Sequence, residues 1–138
     1  MRVSQRLDYT VRGLTALAER PFGTYVAAGE IADELALPRR FVEQQFTTLS
    51  RAGLVDCRRG AGGGCALARP ADEITVAEIV RTVQSTVLDV PKVRGSAVSE
   101  MWAASADSLG EILERTTLLD LTRRQKELDA QAAPMYYI

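Results

Sequence analysis

The residues of this chain best suited to bind a charged partner lie together in residues 53–70. The segment reads Gly-Leu-Val-Asp-Cys-Arg-Arg-Gly-Ala-Gly-Gly-Gly-Cys-Ala-Leu-Ala-Arg-Pro, which places Arg58 and Arg59 beside a four-glycine turn between two short apolar runs. Short strands around a glycine-rich connection predict a β-hairpin, here residues 54–68. Glycine lets the backbone approach a surface that a Cβ atom would hold away. A guanidinium presents several N–H donors in a planar fork. The pattern therefore predicts a cationic hairpin tip that binds a polyanion.

The helix predicted just before this hairpin, residues 39–52, carries a second set of candidate binding residues. Val42, Phe46 and Leu49 recur at helical spacing on one side, and Gly53 ends the helix. The opposite side, called here the polar face, consists of Arg40, Glu43, Gln44, Thr47 and Arg51. A polar outer side is typical of any amphipathic surface helix. Here, however, a short helix over residues 28–36 and a tight turn precede it. This order is typical of a winged helix-turn-helix that binds double-stranded DNA.

Charge is distributed unevenly along the chain, whose net charge is −1. Residues 38–60 carry a local net charge of +3, whereas residues 73–138 hold 7 basic and 10 acidic residues. A basic region on an otherwise acidic protein is typical of contact with nucleic acid.

The composition argues against an enzyme and against a membrane protein. Histidine is absent, which removes the commonest general base and metal ligand. Residues 60–65 lack the third glycine and the βαβ setting of a dinucleotide-binding fingerprint. The N-terminal residues contain no apolar leader, and no run approaches the roughly 18 apolar residues of a membrane span. We therefore expect a non-enzymatic, cytoplasmic protein with no membrane partner.

The other elements complete a mainly α fold with a small β-hairpin wing. A first helix is predicted from Ser4, as N-cap, to about Arg20. A fourth begins at residues 75–78, Thr-Val-Ala-Glu, which has the pattern of a capping box with Ile74 and Ile79 as the hydrophobic staple. These elements make residues 1–84 a winged helix-turn-helix domain.

The C-terminal part is predicted to join two copies of the chain. Residues 85–97 are predicted to be a loop, residues 98–131 a long amphipathic helix followed by a short one, and residues 132–138 a tail. The apolar content of the helices exceeds what the first domain needs, and an exposed apolar helix usually finds a partner. The sequence thus predicts a homodimer. The residues assigned to it are Trp102, Leu109, Ile112, Leu113, Leu118 and Leu119.

Seven short motifs follow one another along the chain: Asp8-Tyr, Glu30-Ile-Ala, Phe41-Val-Glu-Gln, Ala52-Gly-Leu-Val, Arg59-Gly-Ala-Gly-Gly-Gly, Leu67-Ala-Arg-Pro and Thr116-Thr-Leu-Leu-Asp-Leu. In this order they resemble the Rrf-two family of bacterial winged-helix transcription regulators, over residues 1–121. The resemblance implies a homodimer on a near-palindromic operator, acting as a repressor. It also implies that the third helix enters the major groove while the hairpin reaches the minor groove.

Carried over by position, the resemblance implies a role for each binding residue. Arg59 enters the minor groove, Glu43 and Gln44 contact base edges, and the other arginines contact phosphates. The full implied DNA-binding set is Arg2, Ser4, Arg39, Arg40, Glu43, Gln44, Thr47, Arg51, Arg58, Arg59, Gly60 and Gly62. A winged-helix module that binds a partner protein remains the alternative.

Two departures from the family pattern lead to further expectations. Many relatives hold an iron–sulfur cluster through three cysteines after the fourth helix, but residues 85–104 contain no cysteine. We therefore expect no cluster, no metal and no cofactor, and we expect Asp8, which matches a carboxylate ligand in some relatives, to be a surface or capping residue. Ala36 stands where relatives often have glycine, so the turn is expected to differ slightly.

The two cysteines leave one more alternative open. Cys57 and Cys65 are each four residues from Ala61, so a hairpin centred there makes them cross-strand neighbours within disulfide range. They are either small strand hydrophobes or a thiol-redox switch of the hairpin. The sequence leaves open whether a small molecule or a protein acts as an effector.

Overall fold

The computed structural model describes residues 3–84 and 88–132 of the chain. The described residues form six α-helices and one two-stranded antiparallel sheet, which confirms a mainly α fold with a small hairpin. In chain order the elements are α1 (Gln5–Ala18), α2 (Ala28–Leu35), α3 (Arg39–Arg51), β1 (Val55–Arg58), β2 (Gly64–Leu67), a 3-10 turn (Ala71–Glu73), α4 (Val76–Val83), α5 (Ala97–Arg115) and α6 (Leu118–Ala132).

The core lies where α1, α2, α3 and the hairpin meet. Val42, Phe46 and Leu49 of α3 are buried there, as their helical spacing predicts. Gly13 on α1 faces α3, since a Cβ atom at this position would be in ordinary van der Waals contact with Cε1 of Phe46, at 3.5 Å. This close packing holds α3 in place and leaves its other side exposed.

Local signals set the helix starts, with one correction. Ser4 caps α1 by accepting a hydrogen bond from the backbone N–H of Leu7 at 3.1 Å. Thr75 caps α4 by accepting from the N–H of Glu78 at 3.2 Å. The carboxylate of Glu78 does not complete a capping box, since it accepts instead from the guanidinium of Arg69 at 2.6 Å and 2.7 Å. That pair ties the end of the hairpin to α4.

The turn between α2 and α3 corrects the expectation drawn from Ala36. Ala36 adopts the left-handed conformation itself, with φ 54° and ψ 41°. The conformation costs a non-glycine residue about 1–2 kcal/mol. Leu37 N–H donates to the Ala32 carbonyl at 2.8 Å, which closes the end of α2 around the strained residue. The left-handed conformation of the turn is thus retained, and Ala36 adopts it at the energetic cost of its Cβ atom.

The last helix differs from the prediction. Instead of a short piece of a separate arm, α6 has 15 residues and packs against α1. Leu118, assigned to dimerisation from the sequence, is fully buried in the core of the first domain. Its N–H donates to the Ile74 carbonyl at 3.0 Å, and Val76 N–H donates to the Thr116 carbonyl at 2.8 Å. Of the two helices predicted for dimerisation, only α5 therefore contributes no buried residue to the core.

Several predicted features lie partly or wholly outside the described residues. Arg2 is one of them, as are residues 85–87 of the predicted loop and residues 133–138 of the predicted tail. Residues 88–96 contain no helix or strand, and α5 begins at Ala97. No helix in the described ranges is both long and apolar enough to cross a lipid bilayer.

Candidate nucleic-acid interface

The polar face of α3 is open to solvent, since all five of its side chains are exposed. Within α3 the Thr47 hydroxyl donates to the Glu43 carbonyl at 3.0 Å. At the end of the helix Gly53 takes a φ of 79°, and Leu54 N–H donates to the Leu49 carbonyl at 3.0 Å. This glycine turn sends the chain directly from α3 into β1, so the polar face and the hairpin are neighbours.

The wing, residues 54–68, has the register that the cysteine spacing predicts. Val55 pairs with Leu67, Cys57 with Cys65, and Arg58 with Gly64. Val26 joins the other edge of β2, because the Cys65 N–H donates to the Val26 carbonyl at 2.8 Å and the Val26 N–H donates to the Cys65 carbonyl at 2.9 Å. Strand β2 is thus paired on both of its edges.

Glycine is required in the wing by space as well as by conformation. A Cβ atom on Gly64 would lie 2.5 Å from the Val26 carbonyl carbon, and one on Gly63 would overlap the Arg58 carbonyl oxygen. Gly60 and Gly62 have positive φ angles of 92° and 76° with open space around them. The first pair lets the wing fold, and the second pair leaves two positions of its tip without side chains.

The arginines assigned to DNA differ in how freely they can bind it. Arg40, Arg51 and Arg59 are exposed and have no salt-bridge partner within the described part of the chain. Arg39 instead binds Asp33 of α2 through both Nε, at 3.0 Å, and a terminal nitrogen. This pair lowers the pKa of Asp33 through the hydrogen bond from Arg39, and it braces the turn between the two helices.

Ser4 is also engaged within the protein. Besides capping α1, its hydroxyl donates to the Gln84 side chain at 3.1 Å. These contacts occupy the hydroxyl that the family resemblance assigns to the DNA backbone.

Tyr25, which lies beside the wing, and Asp56, on β1, are residues that the sequence analysis missed. The Tyr25 hydroxyl donates to Asp56, and the ring centroid lies 4.4 Å from Cζ of Arg58. Nε of Arg58 is 3.7 Å from the Asp56 carboxylate. Tyr25 immediately precedes Val26, the residue that pairs with β2, and no signal in the sequence indicates this pairing.

The two cysteines are joined as a disulfide, with Cα atoms 4.1 Å apart. Cys57 is exposed and Cys65 is buried. The backbone of Cys65 bonds to Val26 on its other side, so the cysteines form a non-hydrogen-bonded cross-strand pair, the type in which side chains lie closest.

Away from the wing, α5 has no buried residue over its 19 positions. Its apolar stripe consists of Val98, Met101, Trp102 and Ile112, which are 43–62% exposed. Leu109 and Leu113 face α4 instead and line a cleft of about 200 Å³ with Ala77, Val80 and Gly110. An Arg81–Glu114 ion pair of 2.5 Å lies at the edge of this cleft.

Comparison with known proteins identifies the family. The model of the Rrf2 family, described as an iron-dependent transcriptional regulator, matches residues 3–124. The chain belongs to the Rrf2 family. A putative HTH-type transcriptional regulator of Mycobacterium tuberculosis is 32% identical over 130 residues, which cover 88% of this chain and 81% of that protein.

Solved Rrf2 structures have the same fold. CymR of Bacillus subtilis, described as the global cysteine regulator of that bacterium, superposes with a TM-score of 0.83 at 29% identity, over 90% of this chain and 98% of CymR. IscR of T. potens superposes with a TM-score of 0.79 at 32% identity, over 93% of this chain and 90% of IscR. The architecture is therefore that of the winged-helix regulators of this family.

The family description implies iron, but the donor set of this chain does not fit an iron–sulfur cluster. Such clusters are held mainly by cysteine thiolates, and both cysteines of the chain are bonded to each other in the wing. No group of three or more histidine, cysteine, aspartate or glutamate side chains in the described ranges could hold a metal ion. Asp8 lies at a surface position on α1, where its carboxylate accepts from Arg12 at 3.0 Å.

Proposed function

We propose that this Rrf2 chain is a homodimeric, sequence-specific repressor that binds a near-palindromic operator. One observation carries the proposal: the exposed polar face of α3 continues into a thin glycine tip that bears Arg59, which has no salt-bridge partner in the described residues. Glu43 and Gln44 suit base edges in the major groove, and Arg59 suits a narrow minor groove. Repression then follows from occupation of a promoter.

The dimer is supported by the amount of surface that one chain leaves exposed. The chain exposes 9045 Å², whereas a compact monomer of its mass exposes about 7,100 Å². A stable interface buries about 800 Å² on each partner. A two-fold pair joined along the apolar stripe of α5 covers part of that excess, and it presents two copies of the wing to one duplex. No catalytic step enters this function, and a cytoplasmic location suits it.

The proposal is tested by selection of bound duplexes from a random pool. A near-palindromic consensus is the expected result. Arg59→Ala should weaken binding to that consensus by about 1–3 kcal/mol, while Arg123→Ala, an exposed arginine of α6, serves as the matched control. Unchanged binding in Arg59→Ala would show that the wing does not enter the groove. Failure to enrich any duplex would favour the alternative, a winged-helix module that binds a partner protein.

The wing disulfide favours a second, regulatory function. We propose that Cys57 and Cys65 form a thiol-redox switch of DNA binding. Disulfides in the cytoplasm are usually transient and redox-sensing, and this one has an exposed member. In the oxidising step the two thiols lose two hydrogens and form the S–S bond, and a small-molecule disulfide accepts those hydrogens to become two thiols. The bond holds the wing one residue pair below Arg58 and Gly64, next to the tip.

The switch predicts tighter operator binding by the oxidised protein. Reduction with a dithiol should weaken binding several-fold, because the strand ends next to the tip are then held only by the hydrogen-bonded pairing. The Cys57→Ala variant should bind like the reduced protein and should not respond to reductant. Equal affinity of oxidised and reduced wild-type protein would leave the cysteines as strand residues only.

The cleft between α4 and α5 has the volume and the apolar lining to accept a small-molecule effector. An apolar cavity of about 150 Å³ accepts a ligand the size of benzene. We expect benzoate or phenylacetate to raise the melting temperature of the wild-type protein but not of Gly110→Leu, in which the new side chain fills the cleft. Absence of a shift in the wild type would remove this cleft from consideration.

A further inference from the structure

Tyr25 lies in the same sheet row as Asp56, although 31 residues separate them in the sequence. Val26 pairs with Cys65, which in turn pairs with Cys57. One residue further along, the same antiparallel register brings Tyr25 opposite Ala66, which pairs with Asp56. Adjacent residues of a strand point to opposite faces, so this row lies on the face opposite the disulfide.

The middle position of this row is small, which permits contact between its two ends. Backbones two strands apart are separated by about 9.6 Å, twice the spacing of neighbouring strands. A tyrosine and an aspartate side chain can meet across that distance only if the residue between them is short. Ala66 satisfies this condition, and the Tyr25 hydroxyl donates to the Asp56 carboxylate.

Arg58 joins the same face, because it follows Asp56 by two residues on β1. Its guanidinium carbon lies 4.4 Å from the Tyr25 ring centroid, within the range of a cation–π contact. The ion pair with Asp56 is loose, at 3.7 Å, and 67% of the Arg58 side chain is exposed. In the described part of the chain the guanidinium has no hydrogen-bond acceptor within bonding distance, so its N–H donors stay available.

We propose that Tyr25 and Asp56 are positioning residues that hold Arg58 ready to bind a DNA phosphate beside the wing tip. The inference rests on the proposed function and adds two residues to it. Fixing a long, flexible side chain on binding lowers affinity. The Tyr25 ring restricts the Arg58 side chain before DNA arrives, and the Asp56 hydrogen bond fixes the ring. The affinity gained in this way requires Arg58, and it does not require Tyr25 to contact the DNA directly.

The test is a double-mutant cycle on operator binding by the full-length protein. Tyr25→Leu, which removes the ring, should weaken binding about two- to tenfold, the range expected for ordering one long side chain. Tyr25→Phe keeps the ring and should weaken binding less. In an Arg58→Ala background Tyr25→Leu should have no further effect. An equal loss in both backgrounds would mean that Tyr25 acts on the wing as a whole, and the inference would be wrong.

A spectroscopic readout checks the hydrogen bond without DNA. The bond to Asp56 raises the pKa of Tyr25 above the ordinary 10.0, because ionisation of the phenol would remove the donor. The difference between the ultraviolet titrations of wild type and Tyr25→Phe should therefore show a phenol that ionises at higher pH than an ordinary tyrosine. Asp56→Asn should bring that titration towards the ordinary value. If Tyr25 had the same pKa in the wild type and in Asp56→Asn, the result would contradict the proposed hydrogen bond between Tyr25 and Asp56.

Arg59→Ala in the same binding assay separates this inference from the proposed function. If Arg59→Ala weakens binding but the cycle shows no coupling between Tyr25 and Arg58, the repressor function stands and the inference fails. If Arg59→Ala has no effect either, the wing does not bind DNA and the proposed function fails first.

Discussion

Arg39 and Asp33 form a two-point ion pair across the turn that joins α2 to α3, with Nε of Arg39 3.0 Å from Oδ1 of Asp33. The side chain of Arg39 passes over Gly29, where an added Cβ atom would lie 3.7 Å from it. The neighbouring Arg40 has no such partner within the described ranges. Two adjacent arginines at one helix start thus have different structural roles.

This difference predicts opposite behaviour for two matched variants. Arg40→Ala should reduce the salt dependence of DNA binding by about one phosphate contact, without lowering the melting temperature. Arg39→Ala should lower the melting temperature and leave the salt dependence nearly unchanged. Salt titrations and thermal unfolding measure the two quantities separately. A reduced salt slope in Arg39→Ala would mean that the Asp33 pair opens on DNA.

The same pair has a definite pH signature. The hydrogen bond from Arg39 lowers the pKa of Asp33 below the ordinary 3.8. The pair therefore stabilises the fold fully above that pH, and its contribution is lost as the pH falls through the lower pKa of the folded state. In an NMR titration of the carboxyl carbon, Arg39→Ala should move the Asp33 pKa upward towards 3.8. A pKa that does not move would show that the pair is absent in solution.

The left-handed conformation of Ala36 predicts that a glycine at this position stabilises the protein. Ala36→Gly should raise the free energy of unfolding by up to about 1 kcal/mol, because glycine adopts the left-handed conformation without a Cβ clash. The control is Ala52→Gly, at the end of α3, where φ is −84° and glycine brings no relief. It should lower stability by about 0.5–1 kcal/mol. Denaturant titrations compare the two, and equal effects would show that Ala36 is unstrained.

Two glycines should respond to alanine in opposite directions. Gly64→Ala should destabilise the protein by at least about 2 kcal/mol, through a strained positive φ and overlap with Val26. Gly110→Ala should stabilise α5 by about 0.5–1 kcal/mol, since nothing lies within 4 Å of the added atom. Thermal unfolding measures both, and a tolerated Gly64→Ala would mean that Val26 does not border β2 so closely.

The proposed dimer contact along the apolar stripe of α5 predicts which substitution separates the two chains. Trp102→Asp should yield monomers in sedimentation velocity, because a charge at the centre of an apolar interface loses its hydration. Glu111→Ala lies on the opposite side of α5 and should leave the dimer intact. Circular dichroism should show that both variants stay folded. A Trp102→Asp dimer would place the interface elsewhere on the chain.

The cysteine arrangement predicts that iron is not part of this regulator. Protein purified without oxygen should be colourless, and incubation with iron and sulfide under reducing conditions should add no stoichiometric visible absorbance. Operator binding should be the same before and after treatment with an iron chelator. A coloured protein with stoichiometric iron would overturn the conclusion that the donor set does not fit a cluster.

Local patterns in the sequence predicted α1 to α4, their buried sides and the position of the wing. The spacing of Val42, Phe46 and Leu49 is enough to predict which side of α3 is buried, because helical periodicity is a property of the segment itself. Cys57 and Cys65 are equidistant from Ala61, so the sequence predicts their pairing on the condition that the turn is centred there, and the structure meets that condition.

Tertiary structure alone decided which charged groups are free and where the last helix goes. Arg39 and Arg40 look alike in the sequence, but Asp33 lies within reach of only one of them. Leu118 has the same helical pattern as an interface residue, yet it lies in the core because α6 returns to α1. The contact of Tyr25 with Asp56 likewise depends on two chain segments meeting at one sheet. Distances between elements arise from packing of the whole core, and spacing within one segment does not encode them.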